Sequence, residues 1–587
     1  MKSNSLIKKL LSFSVVGIML ITGLLASALH QIFSHAALSD SNSYYVAPSG
    51  DDNNPGTESQ PWATIQKACD TVSPGSTVYV KAGTYHEKIS VEVSGTADGG
   101  YVTIRNYGND KVIIDGTGIE DSNIIYIENK DYLKIMGFEI CNNTGVSDGS
   151  GIRIEGSGEH IEISNNKIYE IRGSDAMGIT VYGTDAAKSI SHLKVDGNQI
   201  YNCDPAHSEA LTLNGNVDNF EVTNNIVRDV NNISIDFIGG EGMCPDDAKD
   251  AARNGVCRGN LVYNAHSSYG GGYAAGIYID GGNHITVERN IVHNCDVGIE
   301  VGCEIGGKVA YDNLVRDNFV FNNDKRGIGF GGYEYPTTGK VLNCKFFNNS
   351  CFNNDTMGTG SGELYIEYAE GCEVKNNIFY CSSQNRLLVV SAVNSNNIIT
   401  LDYNLWFANA GAESVTIDWR GEVYEGYSAY ISGSGQDTHS QFDDPQFVSN
   451  APVNPDLHII TGSPAIDNGD PAFVPDPEEL DIDGGARVHG SRVDIGADEY
   501  GDTSQTTTTT IEEETCFIEE VYGTHSETTA LLRNLRDDVL LKTPEGQEMI
   551  RMYYEWSPVV LKMMEEDKDF RKSVISLFDA MLHLMVL

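Results

Sequence analysis

Asp236, Asp280 and Glu300 stand at outward-facing places in successive copies of one short pattern: small, apolar, variable, apolar, variable. In an extended strand alternate side chains take opposite faces, so the third and fifth residues of each copy leave the core together. Read down the copies, the fifth column is Glu155, Tyr182, Asn214, Asp236 and Asp280. The third is Arg153, Thr180, Thr212, Ser234, Tyr278 and Glu300. Stacked rungs lie about 4.8 Å apart, which sets Asp236 and Asp280 about 5 Å apart with Glu300 one rung beyond. Carboxyl groups about 5 Å apart suit a retaining attack on a glycosidic bond, and a gap of about 6.5–9.5 Å suits an inverting one. Crowding raises the pKa of at least one member and leaves an acid beside an ionised partner. Those three are therefore the candidate catalytic residues. Glu209 before one rung and Glu304 after another extend the acidic neighbourhood. Tyr182 and Tyr278 offer rings for stacking on sugars, and Asn214 offers an amide between them. The competing account is solvated charge on a repetitive surface.

Between Gly239 and Ala275 the pattern is interrupted by a long insertion holding Glu241, Cys244, Asp246, Asp247, Arg253, Arg258 and His266. Long loops on rigid scaffolds carry sites more often than structure. Glu241 and His266 join the candidate substrate-binding set. Arg253 and Arg258 are rare cations in this chain, suited either to a uronate carboxylate or to pairing with Asp246 and Asp247. Cys244 and Cys257 are placed to staple the loop ends. Cys203 and Cys295, in matching turns, read as small buried stackers.

What must position these side chains is a stack of short strands. The pattern recurs from Gly151-Ile152-Arg153-Ile154-Glu155 to Gly327-Ile328-Gly329-Phe330-Gly331. A second motif interleaves with it, an Asn followed by alternating apolar residues, at Asn166, Asn198, Asn225, Asn260, Asn290, Asn318, Asn349, Asn377 and Asn404. One such rung cannot bury its own apolar face, so rungs must stack into a solenoid. The recurrent Asn then occupies a turn, with an unusual φ and hydrogen bonds to its counterparts above and below. The fold expected is all-β, a right-handed parallel β-helix.

The segment Tyr44-Tyr45-Val46-Ala47-Pro48-Ser49-Gly50-Asp51-Asp52, with Pro61-Trp62-Ala63-Thr64-Ile65-Gln66-Lys67-Ala68 and Gly75–Tyr85, resembles the start of pectate-lyase-like β-helix proteins. The resemblance spans roughly residues 44–500 and implies a short helix within Trp62–Val72 capping the N-terminal end of the core. It also implies a second chemistry, a lyase in which calcium neutralises a uronate while Lys or Arg removes a proton. Asp236, Asp280 and Glu300 would then supply calcium ligands, with Arg258, His266 or Tyr278 as base. No Lys stands on the acidic rungs, and so hydrolysis is the preferred expectation. A non-catalytic glycan-binding or envelope protein is the third. Asp481, Asp483 and Asp494 offer oxygens for a structural calcium, and exposed turn carboxylates explain them equally well.

At the N-terminus Lys8 and Lys9 precede an apolar run from Leu10 to Leu25 and then small residues, which reads as an export signal over 1–36, with an uncleaved membrane anchor as the rival reading. At the other end, Thr506–Thr510 marks a linker over 501–511. Residues 512–587, opening with Cys516-Phe517-Ile518, resemble the Cys-Phe-Ile box C-terminal domain of exported microbial proteins. Their apolar spacing predicts a small α-helical module, for which the resemblance implies surface attachment and a passive helical cap is the alternative. With 39 basic against 83 acidic residues the net charge is −44. Such a chain repels nucleic acid and anionic lipid. The expectation is an extracellular or cell-surface monomer without a transmembrane domain once the signal is removed, acting on a polysaccharide.

Overall fold

The computed structural model describes residues 42–501, apart from 119–121, 270 and 454. The export signal, most of the linker and the helical module with Cys516 lie outside the described residues. Among those described, no helix is long and apolar enough to cross a membrane.

The chain winds into a right-handed parallel β-helix of about 12 turns. Each turn places one short strand in each of three long parallel ladders. One ladder runs from Ser43–Val46 through Val217–Thr223 and Val256–Arg258 to Ile399–Asp402. A second carries Gln199–Cys203, Ile226–Val230, Leu261–Ala265, Ile291–His293 and Phe319–Phe321. The third carries Leu211–Gly215, Ile235–Ile238, Ala275–Asp280, Val297–Gly302 and Arg326–Phe330. Their inward residues, such as Leu213, Phe237, Ile279 and Val301, are fully buried in one continuous core. At the N-terminal end the helix Ile65–Cys69 closes it, with the Thr64 side chain accepting from Lys67 N and Trp62 beneath. At the other end Trp419 and the helix Tyr427–Ser434 do the same.

All nine repeated asparagines form one ladder. Each donates from Nδ2 to the Oδ1 of the next, from Asn166 to Asn198 at 3.1 Å through to Asn377 to Asn404 at 3.1 Å. Each Oδ1 also takes the backbone N–H of the Asn before it. The left-handed backbone sits one residue earlier than expected, at Asn165, Gly197, Asn224, Gly259, Arg289 and Asp317. The ladder amides are thereby freed to point into the stack rather than to tolerate the strained angle themselves.

One further expectation is corrected. The cysteines among the described residues are all unpaired and buried, so no Cys244–Cys257 staple exists; Cys203 and Cys295 are core stackers. The segment after residue 440 continues past the end of the ladders. It turns back along the solenoid as a strap, laying Phe447, Leu457, Ile459, Ile495 and Ala497 on the outer face of Phe319, Phe321, Phe352 and Tyr380. Buried Arg487 pins it from above, facing Asp317 at 3.4 Å and Glu499 at 3.9 Å.

Candidate active site

The register of the third ladder places the acidic residues differently from the sequence alignment. Thr180, Thr212, Asp236, Tyr278 and Glu300 lie side by side on successive rungs. Asp236 is therefore in the third column, not the fifth, and Asp280 is its diagonal neighbour, with Gly302 opposite it on the next rung. The cause is local: Ile235 and Phe237 fill the core, while Ile233 packs outside it against Ala275, Tyr278 and Val297. A slip of two residues preserves the face, and Asp236 still points away from the core.

Loops roof this face, so its outward residues are not solvated charge. Asp236 is 2% exposed, Asp280 4% and Tyr278 6%. Glu209 stands partly covered before the first rung, while Glu241 and Glu304 reach in from exposed loops. Glu304 N donates to Asp280 Oδ1 at 2.7 Å, and Asn214 Nδ2 donates to Glu241 Oε2 at 2.8 Å. Asp236 Oδ1, Thr212 Oγ1 and Asn214 Oδ1 are buried without a hydrogen-bond partner. Gly302 is required here, because a Cβ at that position would meet the Tyr278 hydroxyl at 2.6 Å.

Five carboxyl groups thus converge with no ion-pair partner among the described residues. Burial first, then Glu209 and Asp280, pushes Asp236 well above the ordinary carboxylate range. Burial and Glu304 do the same to Asp280. Burial and Glu241 push Glu209 up to about 8. Glu304 is raised too, by burial and by Glu300 and Glu241. Burial among like charges favours the protonated forms, and so acid and carboxylate forms can share this nest.

Glu300 is adjacent but differently engaged, its Oε1 accepting from Arg326 Nη2 at 2.9 Å. Tyr182 lies two rungs upstream of Ile238 through Asn214, half-buried, with the Arg153 guanidinium 5.4 Å from its ring. Arg253 and Arg258 are not at the site. They stand in the first ladder, where Arg253 pairs with Asp218 at 3.1 Å and Arg258 with Glu288 at 2.7 Å. The insertion's return strands, Ala252–Arg253 and Val256–Arg258, rejoin that ladder and carry both cations away. His266 also stays outside, at the corner between ladders, bound through Nδ1 to Asp296 at 3.0 Å.

Sequence reasoning missed the cation and the rings that border the nest. Arg326 opens the rung Arg326–Phe330 and sits 4.9 Å from the Tyr365 ring. Tyr269 and Tyr333 are 41% and 58% exposed, both near enough for Glu304 to influence their hydroxyls. They lie on loops without period, and only their being aromatic in Gly-rich turns marked them.

The chain is similar to several known proteins. The profile of the Pel9A-like right-handed β-helix region matches residues 44–231. Uncharacterized protein YwoF of Bacillus subtilis (strain 168) is 34% identical over 436 residues, 72% of this chain and 91% of its own. Pectate lyase PEL9 of Emericella nidulans is 34% identical over 113 residues, 17% of this chain and 27% of its own. Among solved structures, lacto-N-biosidase from Eubacterium ramulus is 15% identical with TM-score 0.47, covering 64% of this chain and 69% of that one. Pectate lyase Pel9A is 15% identical with TM-score 0.42, covering 78% and 96%. The solenoid, its Asn ladder and this kinship together make the chain a member of the YwoF family, built on a pectate-lyase-like right-handed parallel β-helix.

Proposed function

We propose that the protein is an exported enzyme that cleaves an extracellular polysaccharide in the roofed groove of the third ladder, by hydrolysis of a glycosidic bond. The observation that carries this is the convergence of Glu209, Asp236, Glu241, Asp280 and Glu304 in one cluster without a paired cation among the described residues. Hydrolysis of an acetal needs a proton for the leaving oxygen and a carboxylate to activate water or attack the sugar. Asp236 and Asp280, the two most deeply buried members, are the acid and its partner; partly covered Glu209 is the reserve proton donor. Glu300 is a positioning residue through Arg326. Exposed Tyr269 and Tyr333 give sugar rings apolar faces to stack on. Export, which the N-terminal apolar run supports, puts the enzyme where such polymers are.

A second reading, uronate lysis, is favoured by the Pel9A-like profile over 44–231 and by the donor set. Asp236 Oδ1 is orphaned and every group around it offers oxygen, which fits a hard divalent cation such as calcium. Asp236, Asp280, Glu209 and Glu304 would hold it. When bound it neutralises the uronate carboxylate and acidifies the neighbouring carbon. The chain itself must supply the base, and Tyr278, its proton affinity driven well above the usual phenol range by burial and Asp280, is poorly suited to that part.

Incubation of the full chain with a panel of neutral and uronate polysaccharides decides between them. Hydrolysis gives new reducing ends, no absorbance from unsaturated uronates, and activity that survives calcium chelation. Unsaturated products that vanish on chelation overturn the hydrolase reading in favour of the lyase. Binding without cleavage of any polymer overturns both and leaves a glycan-binding protein.

A further inference from the structure

The strap over residues 441–500 has little regular structure beyond the pairs Gln441–Phe442, Phe447–Ser449 and Asp456–Ile459, yet it buries acidic residues. Asp481 is 0% exposed and Asp498 1%. Asp498 Oδ2 accepts from Ile459 N at 2.7 Å, while its Oδ1 has no partner. Asp481 Oδ1 accepts from Asp483 N and Gly485 N, while its Oδ2 has none. Asp481 and Asp483 both lie close enough to repel charge on Asp498. Buried oxygens of this kind cost free energy unless a cation or donor reaches them. Arg487, the nearest guanidinium, is occupied by Asp317, Glu499 and the carbonyls of Asp494, Gly496 and Ala497.

One further side chain changes the meaning of the cluster. His458 is fixed through Nδ1 by the Asp456 carboxylate and rests edge-on against the Phe319 ring at 5.1 Å. Its other nitrogen, Nε2, lies 3.2 Å from Asp483 Oδ2 without the geometry of a hydrogen bond. A carboxylate holding one imidazole nitrogen so that the other is presented is the outer arrangement of a metal-bound histidine. Ligands about 2.1 Å from one ion sit roughly 3.0–3.4 Å from each other, as Nε2 and Asp483 Oδ2 do. Ligand atoms of His458, Asp483 and Asp498 all fall within 4.8 Å of one another. Asp494, expected among the ligands, is not one, because its oxygens take the backbone N–H groups of Asp467 and Tyr500.

We propose that His458 Nε2, Asp483 and Asp498 Oδ1 bind a divalent ion of the zinc and manganese class, with Asp481 beside them, and that this ion fastens the strap to itself. The imidazole selects such an ion over calcium, which prefers oxygen alone. The site is separate from the groove: it lies on the strap, which packs against the second ladder, and shares no residue with the five-carboxylate nest.

The full chain, stripped with chelator and dialysed, is titrated with zinc chloride and, in parallel, manganese chloride. Bound metal is counted by mass spectrometry and thermal unfolding is followed by circular dichroism. One equivalent should bind and raise the melting temperature, and His458→Gln and Asp498→Asn should each weaken binding at least tenfold. The Asp236→Asn/Asp280→Asn double variant should keep that equivalent. Loss of the ion in the double variant but not in the strap variants overturns the proposal, as does failure of the parent to bind either metal. Should His458→Gln not fold, Asp483→Asn carries the same comparison.

Discussion

At the scale of single residues, the groove shows how burial turns surface acids into proton holders. Under the proposed hydrolysis, Asp236→Asn and Asp280→Asn should each lower kcat on a cleaved polysaccharide by roughly 100- to 10,000-fold, the range for a lost acid or base. Each should also make stability fall less steeply as pH rises above the ordinary carboxylate range. A carboxyl whose proton affinity rises on folding stabilises fully below the ordinary carboxylate range, and that contribution is lost as pH climbs through the shifted pKa. Replacing it removes the loss, so a melting temperature that falls as steeply with rising pH in both variants as in the parent would contradict the assignment. Glu300→Gln should lower kcat far less, since Glu300 acts through Arg326. Much of this was legible in the residues: Asp236, Asp280, Glu209, Glu241, Glu304 and Tyr278 do come together. The column of Asp236 was not, because Asn232–Ile238 holds two overlapping alternations and only packing chooses Phe237 over Ile233 for the core. Arg253 and Arg258 were misplaced for a related reason. A sequence does not show where an insertion rejoins its ladder.

At the scale of elements, the ladders fix positions that no single contact could. Asn260 takes the Asn225 backbone N–H and amide on its Oδ1, and gives its own amide to Asn290 and to the Val222 carbonyl. Asn260→Ala leaves buried donors and acceptors unmatched on both sides and should cost about 2–4 kcal/mol, near twice the penalty of one orphaned group. Urea unfolding checks this, and a shift within 0.5 kcal/mol, the scatter of an ordinary surface change, would show the ladder to be incidental. Gly302→Ala tests the groove in the same way. Its methyl collides with the Tyr278 hydroxyl, so kcat should fall while the Asn ladder and global stability change little. The ladder was readable in advance because stacking demands the same residue at the same phase. The strap was not, since a chain that crosses rungs obliquely has no period.

Across the whole molecule, acidity is managed by protonation and pairing rather than by balance. Glu363, fully buried, accepts both the N–H and the amide of Asn354 and is pushed up to about 8 by burial. Below the ordinary glutamate range it is protonated in folded and unfolded chains alike. Between that range and pH 8 only the folded chain holds the proton, and stability declines as pH rises. The difference in urea midpoint between the parent and Glu363→Gln should therefore change from pH 5 to pH 8 and stay constant above pH 9. A difference that is flat throughout would place the carboxylate's charge, and not its proton, in the native stack.

The asparagine ladder has a further consequence, for chemical ageing. Asparagine slowly converts to aspartate when the following backbone nitrogen can swing onto its side chain, most readily before glycine and in open loops. The nine ladder members are followed by Lys167, Gln199, Ile226, Leu261, Ile291, Phe319, Ser350, Ile378 and Leu405, and each is clamped at both oxygen and nitrogen. A conversion there would set oxygen against oxygen inside the stack. The arrangement that aligns the rungs thus also slows the reaction that would undo them.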